Sequence, residues 1–184
     1  MIDHVEKRIA RALSGVRQAF RGLVAKVNSA PKVQLLQATG LANEQIQAAE
    51  YFQHFGFTSN PPAGSMLVMV PLGGKTAHGI VIATEHGSYR LKNLAPGEVA
   101  IYDDLGQKVH LTRNGIVIDG ANMQITIINT PKVRMETAQL EVTGQIKDMC
   151  DSTGKTMSGM RTTYNSHTHN DPQGGAVASP NQPM

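Results

Sequence analysis

The sequence predicts a mainly β protein: a small barrel, then a ladder of short strands, with a short helix in front. Three observations carry this. Helical apolar spacing is confined to residues 1–22, β-branched runs bordered by Gly and Pro fill residues 23–105, and beyond Gln107 short alternating pieces recur between turn signals.

The helix comes first. Ile2, Val5, Ile9, Leu13, Val16 and Phe20 follow one another at intervals of three or four, which places them on one stripe, with Arg and Lys on the other faces. Lys7, Arg8, Arg11, Arg17, Arg21 and Lys26 against Asp3 and Glu6 give residues 1–26 a charge of +4, so the whole-chain value of +3 leaves the remainder at −1. A nucleic-acid groove along the body is therefore not expected. Asp3 and Glu6 argue against a transit segment, and docking on a partner is the expected use of residues 1–22.

Residues 23–105 read as a β-domain. "KVQLLQA" (Lys32–Ala38), "SMLVMVPL" (Ser65–Leu72), "HGIVIAT" (His78–Thr84) and "EVAIYDD" (Glu98–Asp104) are its strands, while "LANEQIQAAEYFQHFGF" (Leu41–Phe57) is expected to begin as a helix or an extended loop. Four or five short strands with one excursion suit a barrel of the five-stranded oligonucleotide/oligosaccharide-binding type, OB-like for short. "PLGGK" (Pro71–Lys75) lacks the full phosphate-loop spacing and reads as a hairpin turn. "YDD" (Tyr102–Asp104) reads as a solvated strand end.

The ladder occupies residues 106–160. "KVHLT", "GIVID", "MQITII", "KVRME", "QLEVT" and "GQIKD" alternate apolar and polar side chains and are parted by "RNG", "DG", "NTP" and "TG". Val109, Leu111, Ile116, Ile118, Met123, Ile125, Ile127, Val133, Met135, Leu140, Val142 and Ile146 are the inward candidates. Each piece offers two or three aliphatics on one face. The chain has no Trp, and Tyr164 is the only aromatic residue after Tyr102, so no ring spans the ~10 Å between stacked sheets. Three copies around a common axis solve this packing problem by sharing edges and a central core; a single-chain sandwich or solenoid is the alternative that the pattern leaves open. "STGKTMSGMRTTYNS" (Ser152–Ser166) has turn composition and is expected to narrow the structure before its end.

The remaining chemistry is sparse. The single Cys150 cannot form an intrachain disulfide and reads as a small buried apolar residue. No stretch approaches the ~18 apolar residues of a membrane span, and the basic N-terminus leads into more charge, unlike a secretory signal. His54, His78, His86 and His110 are scattered without ligand spacing. His167 and His169 do look like a metal pair, since residues two apart on an extended chain face one side. A mononuclear metalloenzyme would need further His and a carboxylate downstream, yet the 15 residues after His169 hold only Asp171, so no enzyme is expected.

"HFGFTSNPPAGS" (His54–Ser65), "LGGKTAHGIVIA" (Leu72–Ala83), "YRLKNLAPGEVAIYDDLGQKVHL" (Tyr89–Leu111) and the terminal "SHTHND" resemble the central spike proteins of the baseplate in Mu-like contractile-tailed bacteriophages, from about Lys26 to Asp171. The resemblance implies a homotrimer with an OB-like barrel toward the tail, an intertwined triple-stranded β-helix beyond it, and an apex in residues 161–184. It also implies that His167 and His169 of three chains hold one iron ion octahedrally; six protein ligands would leave no open position, so the ion would be structural. Calcium or chloride is compatible with the apex as a further ion. The implied function is a cell-puncturing spike of the virion, assembled in the host cytoplasm, joined to baseplate hub and tail proteins through the N-terminal region, and driven through the host outer membrane by sheath contraction. Nucleic acid is not an implied partner. The alternative is an OB-like module binding nucleic acid or polysaccharide.

Overall fold

A computed structural model describes residues 2–182 and 184, without the side chains of Ile2 and Asp3, so Ile2 of the expected stripe lies outside the described side chains. The chain falls into two compact units, Met1–Thr126 and Ile127–Met184.

The first unit begins with α1 (Ile2–Ser14), which is shorter than the apolar stripe. Phe20 is not part of the helix: it opens β1 (Phe20–Asn28) and is buried in the barrel. The spacing misleads because the inward position between Phe20 and Val24 is Gly22, so two strand periods leave the inward side chains four apart, as on a helix. Gly22 is required there, because a Cβ would stand 2.7 Å from the Thr39 carbonyl oxygen on the neighbouring strand.

The barrel is completed by β2 (Gln34–Thr39), β3 (Gln45–Tyr51), β4 (Met66–Pro71) and β5 (Gly79–Glu85), closed in the order β1-β2-β3-β5-β4. β3 lies within the segment expected to start as a helix or loop. Its inward residues Ile46 and Ala49 are three apart because Ala48, at φ +53°, bulges against β2, and the spacing counterfeits a helical turn. Leu36, Leu67, Met69 and Val81 are the best-buried apolar side chains, and Phe20, Val24, Ile46 and Tyr51 close the core around them. "PLGGK" forms a tight 3-10 turn in the β4–β5 connection, as expected of a hairpin.

"EVAIYDD" does not join the barrel. β6 (Val99–Tyr102) pairs instead with β7 (Lys108–Thr112), and β7 with β8 (Gly115–Asp119), in a separate three-stranded sheet. Asp103 ends β6 by accepting the Leu105 and Gln107 N–H groups at 3.0 and 2.8 Å, which makes the turn into β7.

After Asp119 no further strand forms among the described residues, so "MQITII", "KVRME", "QLEVT" and "GQIKD" run without a ladder apart from an isolated bridge of Lys147 to Thr156. The course is nonetheless regular. Thr130 and Thr137, seven apart, each donate a hydroxyl to the carbonyl two residues on, at 2.9 Å, and each turn is followed by an aliphatic pair, Val133/Met135 and Leu140/Val142. Residues 152–166 contain α2 (Met157–Ser166) and not turns alone. Thr156 caps it by accepting the Gly159 N–H, and Thr162, Thr163 and Ser166 donate to carbonyls four residues back, so hydroxyls that suggested turns are satisfied on the helix. Cys150 is exposed, contrary to its expected burial, in the turn within the 147–156 bridge segment.

Candidate functional site

Two features stand out, one in each unit. The first is the β6-β7-β8 sheet. Register places Val99, Leu111 and Ile116 in one row and Ile101, Val109 and Ile118 in the next, all on one face. All six are exposed, Ile116 at 70% and Ile118 at 63%. The other face carries His110, Tyr102 and the Lys108–Asp119 ion pair at 2.6 Å, which holds the Asp119 carboxyl below its usual range together with the Ala121 N–H. The sheet is thus amphipathic and its apolar side is bare.

Glu98 locks the root of this sheet. Its carboxylate accepts the Ala95 N–H at 3.0 Å and the Arg113 N–H at 3.1 Å, and His110 Nε2 lies 3.4 Å away. The two backbone donors, Ala95 first, hold the Glu98 carboxyl below its ordinary value.

The second feature is the His pair at the end of α2. His167 is the C-cap in extended conformation, and the helix ends there. The two rings meet edge to face with centroids 5.0 Å apart, so both imidazoles stand on one side of the chain. His167 Nδ1 donates to the Tyr164 carbonyl at 2.5 Å, which fixes the tautomer and makes Nε2 the lone-pair nitrogen. A short hairpin follows: Asp171 accepts the Gln173 and Gly175 N–H groups at 2.9 Å, and Val177 N–H returns to the His169 carbonyl at 2.7 Å. Met184 pairs with Asn165 through its backbone N–H and C=O.

This donor set fits an imidazole-binding transition metal only in part within one chain. Among the described residues no group of three or more His, Cys, Asp or Glu side chains converges. Two imidazoles with one ring nitrogen oriented by a carbonyl are what a chain can contribute to a centre shared between copies. The sequence singled out both His residues; it missed the Tyr164 carbonyl, because main-chain acceptors leave no signature in residue type.

Within the first unit, α1 exposes Val5, Ile9 and Leu13. Arg17 anchors its exit: the guanidinium lies 3.9 Å from the Phe20 ring centroid, donates to Thr76 Oγ1 at 2.6 Å and pairs with Glu44 at 2.5 Å, while Arg17 N–H donates to the Gly74 carbonyl. β1 starts and β4 ends beside this anchor, whereas β5 ends at the opposite rim, where the chain leaves for β6. The helix and the three-stranded sheet therefore depart from opposite ends of the barrel.

Residues 21–88 match the family model described as Bacteriophage Mu Gp45, N-terminal, a span that covers nearly the whole barrel. The chain is 28% identical over 127 residues to the baseplate puncturing device gp45 of Escherichia phage Mu, covering 69% of this chain and 64% of that protein, slightly under two thirds of its length. It is 29% identical over 161 residues to the Mu-like prophage FluMu protein gp45 of Haemophilus influenzae, covering 88% of this chain and 82% of the relative.

Proposed function

We propose that this chain, a homologue of the phage Mu baseplate puncturing device, is itself a non-enzymatic, trimeric puncturing spike of a contractile-tail baseplate. The observation that carries the reading is the bare apolar face of β6-β7-β8, followed in sequence by exposed Ile125, Ile127, Val133, Met135, Leu140 and Val142 on a segment with no ladder of its own among the described residues. Exposed aliphatic rows and unpaired edges are what three intertwined copies would cover together. The Thr130 and Thr137 turns set a seven-residue step, so each copy would present one aliphatic pair per step to the axis and donate its backbone to its neighbours. Residues 106–160 would then form the shaft, and 161–184 the apex.

At the apex, His167 and His169 of three copies would supply six imidazoles to one ion, iron by the resemblance to the Mu-like spikes. The ion would tie together chain ends that otherwise fray, and with six protein ligands it would have no open position for a substrate. Sheath contraction would press this end into the host outer membrane. The load would enter at the opposite end, where α1 offers an apolar stripe with basic flanks to hub and tail proteins, and Arg17 holds the exit of that helix to the barrel rim.

Native mass measurement with elemental analysis tests the reading. Three chains and one transition-metal ion are expected in protein purified without chelator. Replacing His167 and His169 by Ala should remove the ion and leave three chains, because the shaft would keep its own apolar core. A globular monomer at micromolar concentration would refute the trimer, and a metal-free trimer would refute the apex. A salt-sensitive affinity of the monomer for nucleic acid or polysaccharide would favour the OB-like binding module instead.

A further inference from the structure

A cleft of about 370 Å³ opens where the β3–β4 loop, the end of β5 and the end of β6 meet, all within the first unit. Its size falls in the roughly 300–1,000 Å³ range of small-molecule sites. Bonds internal to the chain fix its walls. The Ser65 hydroxyl donates to the Pro62 carbonyl at 2.7 Å, and Gln53 Oε1 accepts the Ser59 N–H at 2.6 Å. Glu85 is paired with Arg90 at 2.7 Å, while Asp103 is occupied by the Leu105 and Gln107 N–H groups. The Tyr89 ring is backed by His86 with centroids 4.4 Å apart, and His86 is itself held by the Ser88 N–H on Nδ1 at 3.3 Å.

What those bonds leave over is a small, mixed set of side chains. Among the described residues, the Asn60 amide, the Tyr89 and Tyr102 hydroxyls and the Asp104 carboxylate line the cleft without a hydrogen-bond or ion-pair partner. Both Tyr rings are substantially exposed, at 43% and 40%. They offer flat stacking area, while the carboxylate accepts and the amide both donates and accepts. The charge narrows the ligand further. Glu85, Asp103 and Asp104 line the cleft and no Lys or Arg does, so phosphates and carboxylates, nucleic acid included, are repelled. Of these three carboxylates only Asp104 is unengaged, which is too little free charge to select a cation. A neutral ring with one C–H face and vicinal hydroxyls satisfies both the aromatic and the polar groups, and a pyranose is such a ring.

We propose that this cleft is a saccharide subsite, which stacks a neutral pyranose unit on the Tyr89 and Tyr102 rings and hydrogen-bonds its hydroxyls through Asp104 and Asn60. The proposal goes beyond the spike reading by giving the barrel a glycan contact, and every group it uses comes from one chain. Saturation-transfer NMR on the full chain tests it, with maltotriose, lactose and triacetylchitotriose as probes. At least one should bind with a Kd of ~0.1–1 mM. Its affinity should not change with salt, because no ion pair forms. Tyr102→Ala and Asp104→Ala should each weaken binding about tenfold or more. Tyr102→Phe keeps the ring and should retain most of the binding, which separates lost stacking from a lost fold. No saturation transfer from any of the three saccharides at about 20 mM overturns the proposal. Binding that Tyr102→Ala and Asp104→Ala leave unchanged also overturns it, because the saccharide would then sit elsewhere. Binding of spermidine in place of all three would make the cleft a cation site and overturn it too. The native mass of the same sample tests the trimeric reading separately.

Discussion

The barrel and the ladder use the same kinds of side chain to opposite ends. All ten buried apolar residues among those described lie between Phe20 and Val81, and none lies beyond. The large aliphatics after Val99 are as numerous and as regularly alternated, yet they stay exposed, from Val109 at 36% to Ile128 at 70%. Closure makes the difference. Five strands whose last member pairs back to the first enclose their inner faces and leave few free edges, whereas three strands in a row have one face and two edges to spare. A segment of the second kind completes its core only with another surface.

The largest expected effect breaks this contrast at its weak side. Ile118→Asp places a charge in the middle of the bare apolar face and, in three copies, three like charges near an axis; we expect complete loss of the oligomer in sedimentation, with the barrel still folded by circular dichroism. If the oligomer survived, the apolar face would not be its interface.

Leu36→Ala makes the reciprocal cut. Leu36 is wholly buried in the barrel, and its truncation should cost about 2–5 kcal/mol of barrel stability in denaturant titration while the number of chains stays unchanged. A change in oligomeric state would mean that the two regions are not independent in the way their burial indicates.

A smaller effect is expected at the helix exit. Arg17→Ala removes a cation–π contact, an ion pair and a hydrogen bond, all partly solvated, for a loss of roughly 1–2 kcal/mol. Its clearer signature is faster proteolysis between Ser14 and Phe20. Removing residues 1–14 should leave the barrel and the oligomer intact but weaken attachment to the baseplate; a deletion through residue 22 would instead cut into β1 and remove Phe20 from the core. Normal incorporation of the 1–14 truncation into particles would move the attachment surface to the barrel.

The smallest effect is a pH dependence at the root of the sheet. The Ala95 and Arg113 N–H groups hold the Glu98 carboxyl below its ordinary value, so Glu98 contributes stability that is fully present above that value and is lost as pH falls through its lower folded value, in acid below about pH 4.5. Hydrogen exchange at Ala95 and Arg113 should rise in that window, and Glu98→Gln should flatten the dependence. An unchanged acid profile in Glu98→Gln would show that other carboxylates govern it.

The sequence by itself determined what depends on residue type and short spacing: strands at 66–71, 79–85, 108–112 and 115–119, the hairpin turn at 72–74, and the proximity of the His167 and His169 rings. Only the tertiary structure decided the rest. It assigned Phe20 to a strand, turned residues 45–51 into β3, gave β6 to the second sheet and made a helix of 157–166. In the first case a side-chain-free Gly22 at the inward position between Phe20 and Val24 turns two strand periods into a helix-like spacing of four, and in the second a bulge inserts one residue, so that a period of two becomes a spacing of three. In both, the partner strands that decide are distant in sequence. For β6 the choice of neighbour depends on which edge is already closed, since β1 and β4 pair with each other and leave the barrel no edge to offer. For α2 the deciding contacts are hydroxyl-to-carbonyl bonds four residues apart, which Thr and Ser form as readily in turns as on a helix.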